Sequence, residues 1–104
     1  MINNTIDKKE ANKIFKNAVE KECGDSIEKI NTAIRKSAEH CKDYIEIFES
    51  VTMGLVFRVE NEMFVINNLS EYKKLVHYYR KFGYTVVVEN EEDKRRSLKI
   101  TISW

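Results

Sequence analysis

The chain is expected to fold as one α+β domain: a long N-terminal helix, an antiparallel sheet of about five strands and a second helix. Three observations lead there. Apolar residues over positions 1–42 recur at steps of three and four, and beyond Lys42 the step drops to two. At 104 residues, the chain has room for one domain and little more. The element order reads α-β-β-β-α-β-β, with 1–6 a short tail, 7–42 the long helix and 43–104 the sheet and second helix.

Asp7 with Glu10 three residues later has the form of a capping box and starts the first helix. Its apolar stripe runs through Ala11, Ile14, Phe15, Ala18, Val19, Cys23, Ile27, Ile30, Ile34, Ala38 and Cys41. Gly24 allows two readings, a single helix bent there or two helices. The stripe stays in phase across the glycine, which favours one helix. Such a rod would span about 52 Å, against a diameter of roughly 34 Å for a compact domain of this length. It would overhang its own domain, and a second copy related by a two-fold axis is the natural cover.

After Lys42, Ile45 and Ile47 mark a short strand, and Val51, Met53, Leu55, Phe57 and Val59 a longer one. A turn at Glu60-Asn61-Glu62 returns the chain through Met63–Ile66. Asn68 and Glu71 form a second capping pair, opening a helix from Leu69 to Phe82 whose inner stripe is Leu69, Tyr72, Leu75, Val76, Tyr79 and Phe82. Gly83 stands where a left-handed helix end is favoured. Two strands follow, around Tyr84–Glu89 and Ser97–Trp104, joined by the charged turn Asn90–Lys94. Trp104 continues the last alternation and is expected to pack on a helix or a neighbouring subunit.

Apolar residues make up 42% and charged residues 34%, a globular composition. The net charge of +1 argues against a dedicated nucleic-acid binder. Charge is nonetheless segregated. Asp43, Glu46, Glu49, Glu60 and Glu62 oppose a lone Arg58, whereas Lys73, Lys74, Arg80 and Lys81 oppose Glu71. That asymmetry suits self-association or an anionic ligand. No basic start precedes an apolar run and no stretch reaches membrane-spanning length, so the expected address is cytoplasm.

No catalytic, metal or cofactor motif stands out, and a non-catalytic binding role is expected. His40 and Cys41 are neighbours on a helix, about 100° apart, and cannot grip one ion. Neither Cys23 nor His77 supplies a paired zinc spacing. Both cysteines are expected as small buried hydrophobes. The isolated Gly24, Gly54 and Gly83 exclude phosphate-cradling loops. The candidate ligand contacts are cations beside aromatics: Lys73, His77, Tyr78 and Arg80 on the second helix, Tyr84 after it, and Lys94, Arg95 and Arg96 in the last hairpin. Such sets hold phosphates and stack bases.

Glu10-Ala11-Asn12-Lys13, a Lys/Glu-rich first helix, Lys81-Phe82-Gly83-Tyr84-Thr85-Val86 and the ending Ile102-Ser103-Trp104 together resemble small accessory proteins of bacteriophages. The resemblance implies host takeover or counter-defence in the host cytoplasm, by sequestering a nucleotide-derived signal. An alternative is occluding a host protein, as an anti-CRISPR does, with the acidic strands imitating a nucleic-acid backbone. Direct nucleic-acid binding stands third. The expected partners are the chain itself, through the first helix, and a small anionic nucleotide or a host defence protein.

Overall fold

The computed structural model describes residues 5–50, 52–91 and 97–104. The class is α+β, as expected: helices cover one face of a five-stranded antiparallel sheet. The N-terminal helix is two helices, α1 (Lys8–Glu22) and α2 (Gly24–Glu39), which corrects the single-rod reading. The bend centres on Cys23, whose φ of −119° and ψ of 27° leave the helical region. Hydrogen bonds from Cys23 N to Val19 O and from Ile27 N to Cys23 O carry the ladder through, so the apolar stripe keeps its phase while the axis turns. Asp7 caps α1, its Oδ1 accepting from Glu10 N at 2.7 Å.

α2 ends in a Schellman pattern. Cys41 adopts φ 63°, Cys41 N donates to Ala38 O, and Lys42 N donates to Ser37 O. This turns the Cys41 side chain out of the stripe, so it is exposed while Cys23 is buried. The expectation of two buried cysteines therefore holds for one. α3 (Tyr72–Lys81), entered through a 3-10 turn at Leu69–Glu71, ends the same way. There Gly83 takes φ 96°, with Gly83 N on Arg80 O and Tyr84 N on Tyr79 O.

The strands are β1 (Tyr44–Ser50), β2 (Gly54–Val59), β3 (Glu62–Ile66), β4 (Thr85–Glu91) and β5 (Ser97–Ser103), in spatial order β3-β2-β1-β5-β4. β1 is longer and β2 shorter than the alternation suggested. The Ser50 hydroxyl accepts from Thr52 N and Met53 N, and Gly54 turns the chain at φ 92°, so the reversal falls here rather than before Val51. Val51 itself lies outside the described residues. The inward face of the sheet carries Ile45, Ile47, Leu55, Phe57, Val59, Phe64, Ile66, Val86, Leu98, Ile100 and Ile102, all buried. Against it pack Ile27, Ile30 and Ala33 of α2 and Leu75, Val76 and Tyr79 of α3. Each large apolar side chain fully buried there contributes about 1.5–3 kcal/mol.

α1 differs from the other helices. Of its fifteen residues only Val19 is buried, while Ile14 stands 54% exposed. It touches the body through Val19, Phe15 and contacts along α3, where Lys16 lies over the Phe82 ring, Lys81 donates to Asn12 Oδ1, Tyr78 donates to Glu20 and Lys74 pairs with Glu22. The molecule is correspondingly elongated, 56 × 34 × 21 Å. Among the described residues no helix is long and apolar enough to cross a membrane.

Candidate functional site: an aromatic groove between α2 and α3

Successive edge-to-face and tilted ring contacts link Phe82 to Tyr78, Tyr78 to Tyr79, Tyr79 to Tyr84 and Tyr84 to Trp104, with centroids 4.9, 5.2, 5.5 and 6.3 Å apart. Helical spacing sets the first three on α3 and its cap. The Gly83 turn then brings Tyr84 back over Tyr79, and strand pairing of β4 with β5 places Trp104 beside Tyr84. The Trp104 ring stays partly exposed, and its backbone N–H donates to Asp43 O.

Across from these rings, α2 presents Asn31, Ile34 and Arg35. The space between is a hollow of about 390 Å³ lined by Asn31, Ile34, Arg35, Tyr78, Tyr79, Phe82 and Tyr84. A second hollow of about 450 Å³ adjoins it towards Gly24, sharing Asn31, Arg35 and Tyr78. Each falls within the size of small-molecule sites, on the order of 300–1,000 Å³.

Polar groups in the groove are set in a definite way. Tyr79 Oη donates to Asn31 Oδ1 at 2.7 Å, which engages the amide oxygen and leaves its NH₂ without a partner among the described residues. Tyr78 Oη donates to Glu20 Oε2 at 2.6 Å. Burial first, then that bond to Glu20, pushes the Tyr78 phenol well above its ordinary range, so it stays a neutral donor. Burial does the same to Tyr79. Arg35, one helical turn beyond Asn31, is exposed and makes no hydrogen bond or ion pair among the described residues. The groove thus offers π-faces, an amide NH₂ and one uncommitted guanidinium.

The sequence-selected residues fare unevenly. Tyr78 and Tyr84 belong to the groove, although Tyr78 is a buried side chain, only 4% exposed. Arg80 is exposed, but its Nε and Nη2 both donate to Val86 O, at 3.2 and 2.7 Å, so its guanidinium braces β4. Lys73 and His77 sit exposed on the outer face of α3, away from the rings. Lys94, Arg95 and Arg96 lie outside the described residues. The inner stripe of α3 is also corrected: Leu69 and Phe82 are exposed and Tyr78 takes a buried place.

Asn31, Arg35 and Phe82 were missed. Asn31 and Arg35 stand four apart beside the stripe positions Ile27, Ile30 and Ile34, a polar pair at the margin of a buried face. That was the available signal. The acidic residues Glu46 of β1, Glu60 of the β2–β3 turn and Glu62 of β3 are each ion-paired, with Lys99, Lys42 and Lys36 respectively.

Cys23 lies apart from this groove. Burial first, then the neighbouring Glu71, pushes its thiol up to about 12. In native protein at neutral pH a chromogenic disulfide is expected to titrate one thiol per chain, Cys41, and the second only on unfolding. Two fast-reacting thiols would show that the Cys23 packing is wrong.

Comparison with protein-family models, curated proteins and solved structures finds no match to this chain.

Proposed function

We propose that the protein is a non-catalytic binding protein whose α2–α3 groove takes a small anionic ligand carrying an aromatic ring, of the nucleotide class. The observation that carries this reading is the pairing of an uncommitted Arg35 with exposed and half-buried rings across a ready-made hollow. In this reading Arg35 receives the phosphate through a charge-assisted fork. Phe82 and Tyr84 flank the base, and the Asn31 amide donates to its edge. The groove lies within one chain, so binding does not depend on a second copy. The wider setting, a phage-type protein that lowers the free level of a nucleotide-derived host signal, rests on the resemblance at 10–13, 81–86 and 102–104.

The test is calorimetric titration and thermal shift against nucleoside mono-, di- and triphosphates and cyclic nucleotides, with nucleosides as neutral controls. A bound nucleotide at a hundredfold excess over its Kd raises stability by about 2.7 kcal/mol. Arg35→Ala is expected to weaken binding about 10- to 100-fold, the worth of a charged hydrogen bond. It should leave the unliganded melt unchanged, because the side chain is exposed and has no partner among the described residues. Lys73→Ala should change neither. If no nucleotide in the panel shifts the melt, the reading is wrong.

A further inference from the structure

We propose that two copies of the chain pair through α1, antiparallel, with Ile14 on the two-fold axis. The starting point is an imbalance. A fifteen-residue helix is marginal in water by itself, and tertiary packing normally supplies what it lacks. α1 buries one side chain fully, half-buries Phe15, and otherwise holds to α3 through side-chain bonds at Asn12, Glu20 and Glu22, so its apolar support is thin. The face turned away from the body is not a plain solvated surface. It runs Asp7, Ala11, Ile14, Ala18, Lys21, at steps of four, three, four and three, the spacing of a helix-pair seam. Ile14 and Ala18 are exposed, Ala11 is half-buried, and neither Ala11 nor Ala18 holds a neighbouring helix away.

The charges at the ends of this seam identify its occupant. Asp7 and Lys21 each lie seven residues from Ile14, about two turns and about 10 Å along the axis. An antiparallel copy centred on Ile14 sets Asp7 opposite Lys21 of the second copy, and Lys21 opposite its Asp7. Ala11 and Ala18 then face the polar Asn17 and Glu10, and Lys8 falls opposite Glu20 of the second copy. A parallel pair would instead set Asp7 on Asp7 and Lys21 on Lys21. Lys21 makes no ion pair among the described residues, and neither does Lys8. Asp7 uses Oδ1 to cap its own helix and keeps Oδ2 for a partner. The same surface is therefore its own complement, as a two-fold contact requires. Such charges fix orientation and register more than affinity. The apolar content is modest, so the dimer forms by mass action and dissociates on dilution.

Three measurements decide this. Sedimentation of the intact chain should show a concentration-dependent monomer–dimer equilibrium, and a monomer at every attainable concentration overturns the proposal. Ile14→Glu should give a monomer with an unchanged circular dichroism spectrum, since Ile14 touches little of its own chain. A dimer that survives Ile14→Glu but yields to Phe48→Glu would place the contact on the open face of the sheet, and the proposal fails.

Register is read by oxidation in a Cys41→Ser background. Ile14→Cys should crosslink to itself. Asp7→Cys should crosslink only when mixed with Lys21→Cys. Asp7→Cys crosslinking to itself would mean a parallel pair and also overturn the proposal. The readouts are independent of nucleotide binding, so this contact and the groove can fail separately.

Discussion

Gly54→Ala is expected to destabilise the protein by about 3 kcal/mol or more and to lower the melting temperature by about 12 °C or more. Two costs add at this position. The backbone sits at φ 92°, where an L side chain is strained, and a Cβ would be driven into the carbonyl oxygen of Ile66 and lie 2.9 Å from that of Asn67. Neither neighbour can swing away, because both are backbone atoms at the end of β3. Gly83→Ala provides the contrast. It shares a left-handed φ of 96°, yet nothing lies within 4 Å of an added Cβ. Only the conformational cost remains there, about 1 kcal/mol. Thermal melts followed by circular dichroism compare the two. Equal losses would show that the close approach between Gly54 and β3 is absent.

Tyr79→Ala should cost about 3–5 kcal/mol, the range for deleting a buried aromatic ring. That is a large part of the total stability expected for a domain of this size, on the order of 5–15 kcal/mol. The Tyr79 ring is among the largest fully buried side chains, and its hydroxyl reaches Asn31 Oδ1 and, at 3.3 Å, Ile27 O. Tyr79→Phe keeps the ring and loses those bonds, at about 1 kcal/mol. It also frees the Asn31 amide to turn, so nucleotide affinity should fall more than stability does.

The same residue sets an alkaline limit. The Tyr79 and Tyr78 phenols ionise later in the folded chain than an ordinary phenol, whose value is 10.0, chiefly through burial. The stability this represents is complete below that value and is lost as the pH climbs through the folded values. Denaturant titrations should therefore show a decline that starts near pH 10, and Tyr79→Phe should make it shallower while the Tyr78 share remains. A stability curve flat from pH 8 to strong alkali would contradict the burial of both rings.

The fold class was legible because periodicity is a local property. The switch from helical to alternating spacing after Lys42 needs no tertiary information, and the caps at Asp7, Asn68 and Gly83 are written in adjacent residues. The bend was not legible. Stripe phase is blind to a kink at a single residue whose hydrogen-bond ladder continues on both sides, as at Cys23. Nor does periodicity foresee that Cys41, in phase with the stripe, falls on the left-handed residue of a helix stop.

The candidate site was half legible. Tyr78 and Tyr84 could be chosen as aromatics beside cations. Which cation stands near them depends on how α2 crosses α3. That packing selects Arg35 and assigns Arg80 to a carbonyl, and no spacing along the chain encodes it.

That use of Arg80 has a counterpart on the opposite side of the sheet. The outermost strands are β3 and β4. Lys29 of α2 donates to Val65 O on the former at 2.7 Å, as Arg80 does to Val86 O on the latter. An open margin of unpaired amides and carbonyls is a template on which foreign strands accumulate, and inward-reaching cations are one way of spoiling it. Here each border has an acceptor already occupied by a charged side chain that an incoming strand would have to displace. The sheet is thus protected against runaway growth by strand addition. Helical surfaces and the open sheet face remain for any contact the molecule makes by design.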